Sequence, residues 1–159
     1  MCKDADFIVA CVGEHMLNSG EAHSRTDIRI PEIQRKFVAR LHKLNKPLAL
    51  VVFGGRPLAL SDVEKLADAI LYVWQPGTEG GNAIANLRYG KVNPCGKTVM
   101  SFPRSVGQCP IYYNHFSTAR PKRKDIQSFY SDERFRSGYD DEYNSPLYPF
   151  GYGLSYTKF

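Results

Sequence analysis

The most informative segment of this sequence is the apolar run Leu48-Ala49-Leu50-Val51-Val52-Phe53, which is bounded by Pro47 and by Gly54-Gly55. A short, unbroken run of aliphatic residues is typical of a β-strand that is covered on both faces. Two further runs have the same character, Phe7 to Val12 upstream and Ala69 to Trp74 downstream. The sequence therefore predicts three buried strands.

Helical patterns occupy the segments between and after these strands. Apolar residues recur at helical spacing over about 32–44. Shorter helices are predicted at about 62–67 and 79–89, with Ser61 and Thr78 as their N-caps. Strands that alternate with helices through short turns form βαβ units. We therefore predict an α/β fold: an open, mostly parallel β-sheet flanked by helices on both faces, in a three-layer α/β/α sandwich.

The character of the sequence changes after residue 104. We expect residues 1–104 to form the sandwich core, with a fourth strand from Thr98 to Phe102. Over residues 105–159 aromatic side chains are dense, whereas helical and strand periodicity fade. We expect this part to be an irregular, aromatic-rich tail of the same domain that packs over the sheet.

Composition excludes several classes of protein. Of 159 residues, 43% are hydrophobic and 23% charged, which excludes a disordered chain and a disulfide-stapled mini-protein. No apolar run approaches the roughly 20 residues of a membrane span. The net charge of +5 is dispersed, except for one basic run at Arg120, Lys122, Arg123 and Lys124. That run predicts a solvated loop, with a phosphate-contacting patch as the alternative, and nucleic-acid binding is not favoured.

The cysteines and histidines predict neither a metal site nor a cofactor. The four cysteines form no CxxC pair and the four histidines have no ligand spacing. The glycine-rich segment 75–81 lacks the spacing of nucleotide-binding loops. Cys11 is expected to be buried within the first strand. Scattered cysteines and the absence of a signal-peptide pattern favour a reducing compartment, so the predicted location is cytoplasmic.

Chemistry is most expected in the long polar loop after the first strand. In open parallel sheets, ligands bind beyond the carboxyl ends of the strands, and long loops are often functional. This loop gathers carboxylates, an imidazole and a guanidinium group, namely Glu14, Glu21, His23, Arg25 and Asp27. From residue types alone, an ordinary solvated loop and a catalytic loop both fit.

Several motifs occur along the chain in an order and spacing typical of one protein family. They include Ser19-Gly20-Glu21-Ala22-His23-Ser24-Arg25-Thr26-Asp27-Ile28, Trp74-Gln75-Pro76-Gly77-Thr78-Glu79-Gly80-Gly81 and Tyr148-Pro149-Phe150-Gly151-Tyr152-Gly153-Leu154-Ser155-Tyr156-Thr157. Over essentially the whole chain, the sequence resembles the C-terminal α/β sandwich domain of glycoside hydrolase family 3, the β-glucosidase family. The resemblance implies a retaining, exo-acting enzyme that hydrolyses β-linked glucosides or related sugars. It also implies an aspartate nucleophile on a (β/α)8 barrel domain, which this chain lacks.

The resemblance also implies roles for individual residues. It makes Glu21 the general acid/base, with Glu14 as the rival, which otherwise orders the loop through hydrogen bonds. His23 and Arg25 are candidate substrate-binding residues, although a solvated histidine and a loop-shaping arginine are the alternatives. Two hypotheses follow. The chain is one domain of a longer glycosidase and is inactive alone, or it is a stand-alone, non-catalytic module that binds sugars or a protein.

Overall fold

The computed structural model describes residues 2–117, 119–121 and 135–157. Its helices and strands alternate along the chain as β1 (Ile8–Gly13), α1 (Glu32–His42), β2 (Leu48–Phe53), α2 (Ser61–Glu64), β3 (Ala69–Trp74) and α3 (Gly80–Arg88). The strands form one parallel sheet in the order β1-β2-β3. The predicted α/β fold with a parallel sheet is therefore confirmed. All three strands end at the same edge of the sheet, where the loops that follow them meet.

The hydrophobic core lies on one face of this sheet. Alternate residues of each strand point to that face, and α1 and α2 cover it. Its buried members from β1, β2 and the two helices are Ile8, Ala10, Val12, Leu48, Leu50, Val52, Val38, Leu41 and Val63. The prediction that Cys11 is buried is wrong. Cys11 is exposed because it occupies an alternate position of β1 and points away from this core.

The predicted helices are present, but two of their predicted caps are wrong. Ser61 is the first residue of α2, after the N-cap Leu60, and its Oγ donates to the carbonyl of Arg104 at 2.8 Å. The N-cap of α3 is Glu79 rather than Thr78. Helix α2 ends at Glu64, short of the predicted residue 67. Ser61 and Thr78 each lie one residue away from the N-cap position, which Leu60 and Glu79 occupy.

The predicted fourth strand is also wrong. Residues Thr98 and Phe102 pair with the chain near its end instead of extending the sheet: Thr98 N donates to Tyr152 O at 2.8 Å and Phe102 N donates to Tyr148 O at 2.8 Å. Only an isolated antiparallel bridge between Phe102 and Tyr148 results. This pairing anchors the late segment to the domain, because the buried Phe102 packs edge-on against Tyr72.

Two further points concern the chain as a whole. Lys122, Arg123 and Lys124 of the basic run lie outside the described residues. Across the described ranges, none of the helices combines the length and the apolar character that crossing a bilayer requires.

Candidate functional site

Three loops meet at the carboxyl edge of the sheet: the first loop (residues 14–29), the second loop (54–58) and the third loop (75–79). Gly55 shows how closely they approach. A Cβ atom on Gly55 would lie 2.0 Å from Oγ of Ser19 in the first loop and 3.3 Å from Nε2 of Gln75 in the third. A side chain at this position would force the loops apart, so glycine is required for their convergence.

The first loop leaves the sheet through a backbone conformation that only glycine tolerates. Gly13 has φ +142°, and a Cβ atom there would lie 1.9 Å from the carbonyl oxygen of Phe53. The amide of Gly13 donates to Oε1 of Gln34 at 2.7 Å, and the amide of Glu14 donates to Phe53 O at 2.9 Å. The start of the loop is therefore fixed both to β2 and to α1.

Glu14 lies between two arginines. Its side chain is only 2% exposed, and Oε1 lies 2.9 Å from Nη1 of Arg25 and 3.2 Å from Nε of Arg56. A buried carboxylate is stable only when it is paired and hydrogen-bonded, and the two guanidinium groups meet that need. The start and the return of the first loop are thus joined to each other and to the second loop.

Arg56 makes further contacts with the first loop. Its Nη2 donates to the carbonyl of Asn18 at 2.5 Å and to that of His23 at 3.4 Å. The backbone carbonyl of Arg56 in turn accepts a hydrogen bond from the hydroxyl of Tyr72 on β3. Burial raises the pKa of the Tyr72 phenol, so this hydroxyl remains a donor even above the pH at which a free phenol ionises. Arg56 therefore links the sheet to the first loop.

Glu21 occupies the tip of the first loop. A tight turn forms where His23 N donates to Gly20 O at 3.2 Å, and Glu21 is its second residue. Gly20 has φ +127° and Ala22 has φ +63°, a left-handed third position like that of a type II turn. Glu21 is exposed in this turn.

The structure separates the residues that the sequence grouped together. His23 is exposed beside Glu21, whereas Arg25 is partly buried against Glu14. Asp27 is held by Arg29, whose Nε and Nη2 lie 3.0 and 2.8 Å from its two carboxyl oxygens. The hydrogen bonds from Arg29 keep the pKa of Asp27 well below its usual value. The role of Arg56 was not predicted. Its only signal in the sequence is its position in a loop at the carboxyl edge of the sheet.

The part of the chain that the structure describes contains no cluster of side chains suited to bind a metal ion. No group of three or more His, Cys, Asp or Glu side chains there could hold an ion. At its tip the first loop presents the exposed carboxyl group of Glu21, above a base in which Glu14 lies between two arginines. Such a group is suited to acid–base chemistry on a ligand held against this edge of the sheet.

The family model described as the glycosyl hydrolase family 3 C-terminal domain matches residues 1–156, and the chain belongs to that family. It is 53% identical over 157 residues to a periplasmic β-glucosidase of Salmonella typhimurium and 38% identical over 157 residues to a β-xylosidase of Formosa agariphila. Each alignment covers 99% of this chain and 20% of the relative.

Solved structures agree with this assignment. The crystal structure of a β-glucosidase from Listeria innocua in complex with gluconolactone matches with a TM-score of 0.92 and 42% identity. The match covers 99% of this chain and 21% of that chain. The chain therefore spans about a fifth of the length of the relatives that it matches.

Proposed function

We propose that this domain supplies Glu21 as the general acid/base of a retaining β-glycosidase. The nucleophile would lie on a (β/α)8 barrel elsewhere in a longer protein. Relatives named β-glucosidase and β-xylosidase support the β-linked substrate class. Their length, about five times that of the aligned region, supports the presence of a partner domain.

The observation that carries the proposal is the contrast among the carboxyl groups of the first loop. Glu14 is buried between two guanidinium groups, and Asp27 is bound by Arg29 through both oxygens. Glu14 is too buried to meet a ligand while it is paired, and the Arg29 hydrogen bonds lower the pKa of Asp27, which makes it a poor proton donor. Glu21 is exposed at the tip of the turn, where its carboxyl group can meet a substrate.

The proposed chemistry follows from this placement. In the first half of the reaction, the Glu21 carboxyl group protonates the leaving oxygen while a second carboxylate, about 5–5.5 Å away, attacks the anomeric carbon. In the second half, Glu21 accepts a proton from the water that hydrolyses the glycosyl-enzyme. The exposed imidazole of His23 would contact a sugar hydroxyl beside it. Arg25 would contribute indirectly, by pairing with Glu14 at the base of the loop.

The test compares Glu21→Gln with the unchanged residue in the longer protein, using aryl β-glucosides and β-xylosides. We expect kcat/KM for a poor leaving group to fall about 10²- to 10⁴-fold, as is typical when a general acid is removed. Asp27→Asn is the control, because Asp27 lies in the same loop but is held by Arg29. A loss in Asp27→Asn equal to that in Glu21→Gln would contradict the assignment.

The 159-residue chain alone provides the second part of this test. We propose that it is inactive, because retaining hydrolysis needs a second carboxyl group at short distance. Turnover that disappears in Glu21→Gln would show that the chain provides its own nucleophile. The alternative hypothesis, a stand-alone module that binds sugars or a protein, predicts binding by the 159-residue chain itself and no hydrolysis that depends on Glu21. The cytoplasmic location stays a prediction from the sequence.

A further inference from the structure

A cluster of one carboxylate and two guanidinium groups lies at the base of the loop that presents Glu21. The first loop begins at Glu14 and returns through Arg25, and the two side chains are joined at 2.9 Å. Arg56 of the second loop completes the cluster, with Nε 3.2 Å from Oε1 of Glu14. We call Glu14, Arg25 and Arg56 the arginine clasp.

The clasp reaches the backbone on either side of Glu21. From one nitrogen, Nη2, Arg56 donates to the carbonyl of Asn18, which precedes Glu21, and to that of His23, which follows it. A planar guanidinium fork suits such a role because its donors have fixed directions. One side chain thus restrains both arms of the turn.

The sheet in turn restrains Arg56. Its carbonyl accepts a hydrogen bond from Tyr72, and Tyr72 packs edge-on against Phe102 with ring centroids 4.9 Å apart. Gly54, in the same loop as Arg56, leaves room for the Tyr72 hydroxyl, because a Cβ atom at Gly54 would lie 2.6 Å from that hydroxyl. The backbone of Arg56 is therefore held by the core, and its side chain is oriented by Glu14 at the start of the first loop.

We propose that Arg56, oriented by Glu14, is a positioning residue for the acid/base glutamate. By restraining Asn18 and His23, it sets where the carboxyl group of Glu21 meets the glycosidic oxygen. The inference rests on the proposed function of Glu21. A displacement of about 1 Å in a reacting group can cost about 10²-fold in rate, so the restraint has a measurable consequence.

The dependence of the rate on the leaving group separates positioning from general stability. Proton donation is needed when the leaving group is a sugar alkoxide and hardly needed when it is 2,4-dinitrophenolate, a stable anion. A misplaced Glu21 therefore lowers kcat/KM more for the poor leaving group. A loss of folded protein lowers both values by the same factor.

The experiment uses the longer enzyme with Arg56→Met and Arg56→Lys, and Arg35→Met as the matched control. The side chains of Arg35 and Arg56 are both 22% exposed, and each binds a carboxylate and a backbone carbonyl oxygen: Arg35 contacts Asp62 at 2.6 Å and Ile30 O at 2.9 Å. We expect Arg56→Met to lower kcat/KM about 30- to 100-fold more for a β-linked disaccharide than for the dinitrophenyl glycoside. The ratio compared below is the loss of kcat/KM for the disaccharide divided by the loss for the dinitrophenyl glycoside. Arg56→Lys keeps the charge but loses the planar guanidinium fork, and we expect a ratio of about 10. Arg35→Met should give a ratio near one.

The outcomes distinguish this inference from the proposed function. Ratios near one in both Arg56 variants, or ratios equal to that of Arg35→Met, overturn the positioning role. Glu21→Gln is measured in the same assay. A ratio near one in Glu21→Gln overturns the proposed function itself. A large ratio in Glu21→Gln together with ratios near one in the Arg56 variants overturns only the positioning role. Arg56→Lys decides the matter if Arg56→Met does not fold.

Discussion

The base and the tip of the first loop contain the same pair of residue types, but the packing around the two pairs differs. Each has a glycine with positive φ followed by a glutamate: Gly13 and Glu14 at the base, Gly20 and Glu21 at the tip. The base glycine is packed against Phe53, whereas nothing lies within 4 Å of a Cβ atom at Gly20. Glu14 is enclosed by arginines and Glu21 is exposed. The surroundings, not the residue type, assign one glutamate to architecture and leave the other available for chemistry.

Substituting the two glycines is expected to produce the largest difference in the free energy of unfolding between base and tip. Gly13→Ala adds backbone strain and a clash with Phe53 O, and we expect it to lower the free energy of unfolding by about 4 kcal/mol. Gly20→Ala adds strain alone, for about 1–2 kcal/mol. Urea unfolding of both variants measures the difference. Equal losses would mean that the base of the loop is no more tightly packed than its tip.

The two glutamates give the next effect. Glu14→Gln leaves Arg25 and Arg56 facing each other without a compensating charge, and we expect a loss of about 3 kcal/mol in the free energy of unfolding. Glu21→Gln changes an exposed side chain and should stay within about 0.5 kcal/mol of the parent. Thermal unfolding at one pH gives both values. A larger loss for Glu21→Gln would reverse the roles assigned to base and tip.

The smallest effect concerns Asp27 on the returning arm of the loop. Hydrogen bonds from Arg29 lower the pKa of Asp27 in the folded chain below its usual value of 3.8. The stabilisation is therefore present above pH 3.8 and is lost as the pH falls below it. Asp27→Asn keeps one oxygen for the Arg29 amide, but removes the charge and the second oxygen, which accepts from Nη2 of Arg29.

We expect this variant to be less stable by about 0.5 kcal/mol at neutral pH, since the pair is half-exposed and screened by solvent. The difference from the parent should shrink on acidification. Unfolding measured at neutral and at acid pH checks the prediction. A difference that stays constant over this range would show that the charge of Asp27 contributes nothing.

The sheet was predictable because its strands carry their own signal. An apolar run such as Leu48–Phe53, ended by Gly54 and Gly55, is explained by a buried parallel strand. Thr98 to Phe102 has similar β-propensity, yet Val99 and Met100 are exposed and the segment pairs with residues near 147–152. Propensity does not reveal which partner a strand finds, because pairing depends on distant residues.

The site was only partly predictable for a related reason. The position of Glu21 in a polar loop at the carboxyl edge follows from the order of strands and turns. That Glu14 is buried and Arg25 engaged depends on Arg56, which belongs to another loop and is far away in sequence. The sequence shows which residues are charged. Which charged side chains pair across the loops becomes visible only when β1 and β2 lie side by side in the sheet.

The most direct test of the central claim is azide rescue of Glu21→Ala in the longer enzyme, with a dinitrophenyl β-glycoside as substrate. Without its base, the glycosyl-enzyme reacts slowly with water. Azide is already an anion and needs no base: its nitrogen bonds to the anomeric carbon as the carbon–oxygen bond to the nucleophile breaks and the carboxylate is released. The account predicts that azide accelerates turnover and that the product is the β-glycosyl azide, with retained configuration. Turnover of Glu21→Ala that is unchanged by azide, with no glycosyl azide formed, would contradict the assignment of Glu21 as the acid/base.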